Sequence, residues 1–154
     1  MKDFVYKTEP YDHQRKAFEA SVGINSYALL MDMGTGKTKV ALDTIASCFE
    51  SKQINFALIV APKGVIANWV GEISTHLPDR VEREVVLWKP NLTKERRKGL
   101  NDLYTETGKL KLLLMNIEAF SSKKGVAVAE LFVKKFRVLM AVDESSTIKN
   151  RQAK

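Results

Sequence analysis

The chain has 154 residues, of which 45% are apolar and 28% are charged, and this composition is typical of a soluble globular domain with its own core. A single cysteine, Cys48, excludes an internal disulfide, and no apolar run is long enough for a transmembrane helix. The net charge of +7 weakly favours a polyanionic partner. The N-terminus lacks the apolar segment of a secretory signal, so we expect a cytoplasmic protein without membrane contact.

Strand-like apolar runs alternate with helical stretches along the chain. The predicted strands are 27–32, 56–61, 84–88, 111–116 and 138–142. The predicted helices are 10–22, 37–51, 65–76, 94–105 and 126–135. Several of the strands are continuous apolar runs, as expected for strands that are buried on both faces. This alternation predicts an α/β fold, a parallel sheet with helices on both faces, in which ligands bind at the carboxyl ends of the strands.

The clearest chemical signal is the stretch 27–41, YALLMDMGTGKTKVA, a predicted strand followed by glycines and a predicted helix. Gly34 and Gly36 allow a tight turn that directs backbone N–H groups into one concavity, at the N-terminus of the helix. Such a P-loop binds polyphosphate, with Lys37 reaching the β- and γ-phosphates and Thr38 supplying a hydroxyl ligand for Mg²⁺. A glycine turn without a ligand is the alternative, but the position between a strand and a helix favours nucleotide binding.

A second signal lies at the end of the last predicted strand, in VLMAVDESSTIKN (138–150). Asp143 and Glu144 are adjacent acids at the carboxyl end of that strand, and beside a phosphate they would repel it unless a cation lay between. In a P-loop enzyme the first acid holds Mg²⁺, usually through water, and the second can polarise the attacking water. An acidic pair that caps the next helix is the alternative, which the P-loop on another strand disfavours.

Four segments together resemble the first RecA-like lobe of a superfamily 2 helicase, of the Swi/Snf type found in bacteria and phages. The segments are PYDHQ (10–14), MDMGTGKT (31–38), LIVAPKGVIANWVGEI (58–73) and DESSTIKN (143–150), and they resemble the Q-motif, motif I, motif Ia and motif II of that family. The resemblance implies the ATP-binding lobe of a nucleic-acid-dependent ATPase. Such a lobe acts on duplex DNA and hydrolyses ATP when it is joined to a second RecA-like lobe.

The resemblance and the positions of the residues together assign roles to ten of them. The predicted ATP-binding residues, of which the first reads the adenine edge, are Gln14, Gly34, Thr35, Gly36, Lys37 and Thr38. The predicted catalytic residues are Glu144 and Lys37, and the predicted Mg²⁺ ligands are Thr38 and Asp143. The residues expected to contact nucleic-acid phosphates are Lys63 and Asn116, for which a solvated lysine and a turn-capping asparagine are equal alternatives. We expect Trp69 to pack in the core rather than to stack on a ligand.

The resemblance further implies a strand order. In that family the motif III strand lies between the P-loop strand and the motif II strand, and it would follow Lys154, as would the second lobe with its arginine fingers. We therefore expect a first lobe, residues 1–154, truncated after motif II and very slow in hydrolysis by itself. Either it is an excerpt of a longer protein, another chain or a rearranged strand fills the gap, or the isolated lobe is only marginally ordered. A small P-loop NTPase or kinase and a nucleotide- or DNA-binding regulatory fragment remain alternatives.

Overall fold

The computed structural model describes residues 4–91 and 93–144, so the part of predicted motif II after Glu144 lies outside the described residues. Within these ranges the helices are α1 (Asp12–Ser21), α2 (Lys37–Glu50), α3 (Ile66–His76), α4 (Lys94–Leu103) and α5 (Lys123–Lys135). The strands are β1 (Phe56–Ala61), β2 (Arg83–Leu87), β3 (Leu110–Asn116) and β4 (Val138–Val142). A short 3-10 helix, Ile117–Ser121, joins β3 to α5. All five predicted helices and four of the five predicted strands are confirmed, with their ends within three residues.

The strands form one parallel sheet in the order β2-β3-β1-β4. In the central strand β1, Phe56 aligns with Lys111 of β3 on one side and with Val138 of β4 on the other. Because all the strands run in the same direction, their carboxyl ends lie along one edge of the sheet. The predicted class, a parallel α/β sheet with helices on both faces, is confirmed.

Alternate residues of the strands build two separate cores, one on each face of the sheet. On the first face, Ala57 and Ile59 of β1 pack with residues of α2 and α3. On the second face, Phe56 packs against α4 and α5, and its ring stacks on that of Phe132 with a centroid distance of 4.6 Å. No helix among the described residues is long and apolar enough to cross a membrane.

The prediction of a strand at 27–32 is wrong for this structure. These residues have no regular secondary structure, among the described residues they pair with no strand, and the edge strand β4 pairs with β1 alone. Leu30, in the apolar run that predicts burial, is 95% exposed. A strand exists only through its hydrogen-bonded neighbours, and none of the described strands pairs with this segment. The sequence pattern therefore identified the segment without supplying its partner.

Candidate nucleotide site

The P-loop links segment 27–32 to helix α2. Gly36 is the N-cap residue of α2, with φ of 83°, and Gly34 has φ of 77°. Both values lie in the left-handed region that glycine adopts without steric cost. The loop is closed by Thr35, whose Oγ1 donates a hydrogen bond to the carbonyl oxygen of Asp32 at 2.6 Å. The first N–H groups of α2, which have no acceptor within the helix, come directly after this loop, and an anion is favoured at such a helix N-terminus.

Lys37 is the first residue of α2, and its ammonium lies over the P-loop. Its Nζ donates hydrogen bonds to the carbonyl oxygens of Met31 at 2.9 Å and Asp32 at 3.0 Å. Met31 and Asp32 are the last two residues of segment 27–32, so the Lys37 side chain connects this segment to α2. A phosphate bound in the loop would replace these neutral carbonyl acceptors of Lys37 with a charged oxygen. Hydrogen bonds to a charged acceptor are stronger than those to a neutral carbonyl.

Gln14 of α1 is buried, with 5% exposure, and its amide contacts the P-loop directly. Its Nε2 donates to the carbonyl oxygen of Thr35, and its Oε1 accepts from the backbone N–H of Tyr11, both at 3.0 Å. A Cβ built on Gly36 would collide with Gln14 Nε2, so this glycine also makes room for the amide. The nitrogen and the oxygen of the Gln14 side-chain amide thus both have backbone partners in this structure. Adenine reading by this residue stays a prediction.

Asp143 and Glu144 follow β4 at the carboxyl edge of the sheet, as predicted. The backbone N–H of Asp143 donates to the carbonyl oxygen of Val60 at 2.8 Å, which extends the β1–β4 pairing by one residue. Trp69 of α3 donates its indole N–H to Asp143 Oδ2 at 3.0 Å. Glu144 has φ of 51°, a left-handed conformation that is uncommon for a residue with a side chain.

The P-loop and Asp143 line the same open cleft, with a volume of about 320 Å³. The predicted residues in its wall are Gly34, Gly36, Lys37, Thr38 and Asp143. A hydroxyl and a carboxylate oxygen suit Mg²⁺, which is usually bound by one or two protein oxygens together with substrate phosphates and water. A larger hollow of about 440 Å³ lies at the opposite edge of the sheet and includes Lys111 and Arg137, but none of the predicted site residues.

Four residues of the cleft wall were not assigned to the site from the sequence, and one of them, Val65, is the N-cap residue of α3. Asn68, Trp69 and Glu72 project from the first turns of α3, directly after β1. Asn68 and Glu72 are four residues apart and thus on one side of the helix, a spacing that the pattern N-W-x-x-E already contained. Trp69 was predicted to be in the core, and with 3% exposure its ring is indeed buried there. Its N–H, however, reaches the carboxylate of the site.

The predicted nucleic-acid contacts lie outside the cleft wall. Lys63 is exposed in the turn between β1 and α3. Asn116 ends β3, and its Nδ2 donates to Glu118 Oε2 at 2.8 Å. Both residues follow strands at the carboxyl edge, the same edge as the P-loop and Asp143. Their contact with nucleic acid stays a prediction.

A buried ion pair lies within helix α2, which begins at the P-loop. Lys39 Nζ lies 2.7 Å from Asp43 Oδ2, one helical turn away, and the two residues are 4% and 1% exposed. The ammonium also lies over the ring of Tyr6, 5.1 Å from its centroid. Burial raises the pKa of Asp43, while the hydrogen bond from Lys39 opposes that rise. The N-terminal segment is thereby held against α2 immediately after Thr38.

Comparison with known proteins places this site in a family. Residues 7–150 match the family described as "Type III restriction enzyme, res subunit", ResIII. The chain belongs to the ResIII family. It is 32% identical over 124 residues to the probable ATP-dependent DNA helicase CHR12 of Arabidopsis thaliana, which covers 79% of this chain and 10% of that protein. It is 35% identical over 78 residues to Protein CHROMATIN REMODELING 24 of the same plant, which covers 48% of this chain and 7% of that protein.

The fold of this ResIII chain also has a counterpart of known structure. The SWI2/SNF2 ATPase core of Sulfolobus solfataricus, solved in complex with dsDNA, matches it with a TM-score of 0.62 and 20% identity. The match covers 99% of this chain and 30% of that one. The fold is therefore that of a RecA-like lobe, and the helicase-type resemblance read from the four motifs is confirmed at the level of family and fold. The chain spans about a tenth of the length of the plant relatives.

Proposed function

We propose that this chain is the ATP-binding lobe of a Swi/Snf-type, DNA-dependent ATPase, which hydrolyses ATP to ADP and phosphate when joined to a second RecA-like lobe. The observation that supports this best is the convergence of the P-loop and Asp143 on one cleft. Two sequence signals more than 100 residues apart meet there. The bacterial or phage subtype that the sequence resembles stays a prediction.

In the proposed site, each residue has a separate task. The N-terminus of α2 and the Lys37 ammonium hold the phosphates, while Thr38 and Asp143 are the residues that would hold Mg²⁺. When bound, Mg²⁺ neutralises charge on the β- and γ-phosphates. Glu144 orients the attacking water and accepts its proton. An arginine from a second lobe would supply the remaining charge stabilisation, worth about 10³–10⁵ in rate in P-loop enzymes, so we expect very slow hydrolysis by this chain alone.

Nucleotide binding is tested with Lys37→Ala. Removing the charge-assisted phosphate contact is expected to weaken Mg·ADP binding by about tenfold to a hundredfold, measured by titration calorimetry. Lys63→Ala is the matched control, since Lys63 is an exposed lysine outside the cleft wall. Equal affinity for the wild type and Lys37→Ala would contradict the proposed site. Transfer of phosphate to a small acceptor instead of water would indicate a kinase.

DNA binding is proposed to be weak, independent of sequence and dominated by phosphate contacts. The neighbour's complex with duplex DNA and the carboxyl-edge position of Lys63 support this. Lys63→Ala is expected to lower the slope of log affinity against log salt by about 1. Lys134→Ala, an exposed lysine at the end of α5, next to the amino end of β4, should leave the slope unchanged. A slope that is flat in the wild type would rule out phosphate-dominated binding.

A further inference from the structure

Trp69 joins the core of the first sheet face to the carboxylate of the proposed Mg²⁺ site. Its ring packs in the cluster that includes Ile73 of the same helix. Its indole N–H is directed away from that cluster and donates to Asp143 Oδ2 at 3.0 Å. Core packing explains the ring, since an apolar ring of similar size would fill the same space. Packing does not explain why the ring carries a donor at this point.

The second partner of Asp143 is its backbone contact. Its N–H donates to the carbonyl oxygen of Val60 at 2.8 Å, which fixes the main chain against β1. With Oδ2 bound to Trp69 as well, the torsion angles of the Asp143 side chain are held from a second element, α3. Asp143 lies in the wall of the cleft that Lys37 and Thr38 also line, and among the described residues no other hydrogen bond reaches its carboxylate, so Oδ1 is available to a ligand.

We propose that Trp69 is a positioning residue that orients the Asp143 carboxylate toward Mg²⁺ through its indole N–H. This inference rests on the proposed nucleotide site. Hydrogen-bond donors behind a metal-binding carboxylate fix the orientation of the ligand and its lone pairs, and their removal typically weakens metal affinity by about 10–100-fold. Trp69 acts only through Asp143, so it is expected to affect the metal-dependent part of nucleotide binding and to leave the metal-free part intact.

The first test compares ADP affinity with and without Mg²⁺ by titration calorimetry. Trp69→Phe keeps an aromatic ring and removes the donor, and it is expected to reduce the Mg²⁺-dependent gain in affinity by about tenfold or more. Ile73→Val is the matched control, because it loosens the same buried cluster on the same helix without removing a hydrogen bond. An undiminished Mg²⁺ gain in Trp69→Phe, or an equal loss in Ile73→Val, would overturn the proposal. Absence of ADP binding by the wild type would instead overturn the proposed function.

The second test needs no nucleotide and also covers the case in which Trp69→Phe does not fold. The chain has two tryptophans, so its indole N–H region in a proton–nitrogen NMR spectrum holds two signals, which Trp88→Phe assigns. The Trp69 indole proton is expected to exchange slowly with solvent, and in Asp143→Ala it should shift upfield and exchange faster. If this signal is the same in the wild type and Asp143→Ala, the two side chains are not coupled and the proposal is wrong.

Discussion

The contact between Gly36 and Gln14 makes a quantitative prediction about the P-loop. Gly36→Ala places a Cβ where Gln14 Nε2 lies, and it does so at a residue with φ of 83°. Gly34→Ala is the matched control, because Gly34 has φ of 77° but a Cβ there has no neighbouring atom within 4 Å among the described residues. The two substitutions share the backbone penalty and differ in the collision with Gln14.

The magnitudes follow from the contacts. A left-handed alanine costs about 1–2 kcal/mol, which is the whole expected loss of unfolding free energy in Gly34→Ala. In Gly36→Ala the Gln14 amide must also leave its two hydrogen bonds, to Tyr11 and Thr35, each worth about 0.5–1.5 kcal/mol. Gly36→Ala is therefore expected to cost about 2–5 kcal/mol.

Urea denaturation, followed by circular dichroism, measures both losses, and a double substitution separates their causes. In a Gln14→Ala background the amide is already gone, so adding Gly36→Ala should cost only the backbone penalty of about 1–2 kcal/mol. The two substitutions would then be less than additive. Equal losses in Gly34→Ala and Gly36→Ala, or strict additivity with Gln14→Ala, would refute the collision. Gln14 would then lie away from the loop in solution.

Two further predictions concern stability away from the P-loop. Glu84 and the buried Lys111 form an ion pair between β2 and β3 at 2.5 Å, and the hydrogen bond from this lysine holds the pKa of Glu84 below its ordinary value of 4.5. Glu84→Gln should therefore cost about 1–3 kcal/mol at neutral pH, and the difference in urea midpoint from the wild type should shrink as the pH falls below 4.5, because the wild type loses this contribution as Glu84 is protonated. Phe132→Ala should cost about 3–5 kcal/mol because its ring is fully buried between Phe56 and Tyr104, whereas Leu131→Ala, at a half-exposed neighbour, should stay within about 0.5 kcal/mol. Similar thermal melts for these last two variants would disprove the assigned core face.

The sequence predicted most of the fold because its strands carry their own evidence. β1 is a continuous apolar run and β3 contains one at 112–115, both buried on both faces, and such runs can be recognised without knowledge of the neighbouring strands. The segment 27–32 has an equally apolar run, yet whether it is a strand depends on a partner that no local pattern contains. The hydrophobic pattern of 27–32 was therefore not sufficient to predict a strand, because a strand also needs a neighbouring strand to pair with.

The site was predictable to a similar degree and for a related reason. Gly34, Gly36 and Lys37 have the G-x-G-K spacing, which predicts a phosphate-binding loop when it directly precedes a helix. The hydrogen bond from Trp69 to Asp143 joins residues 74 positions apart, so it depends on how α3 packs against the end of β4. A buried ring and a donor both fit a tryptophan in a core, and the sequence could justify only the first. Gln14 shows the converse, since its motif predicted a ligand contact and the structure gives it two backbone partners.

The position of segment 27–32, directly before the P-loop, has a consequence for nucleotide affinity. Its last two carbonyls, those of Met31 and Asp32, bind Lys37, while the segment itself is outside the sheet. If nucleotide binds at Lys37 as proposed, nucleotide and any strand that pairs with this segment would act on one linked equilibrium. Linkage is reciprocal, so a strand that orders 27–32 beside β4 and thereby fixes the P-loop would tighten nucleotide binding, and nucleotide would tighten the hold of that strand by the same factor. Nucleotide affinity would then depend on whether segment 27–32 is paired with a strand.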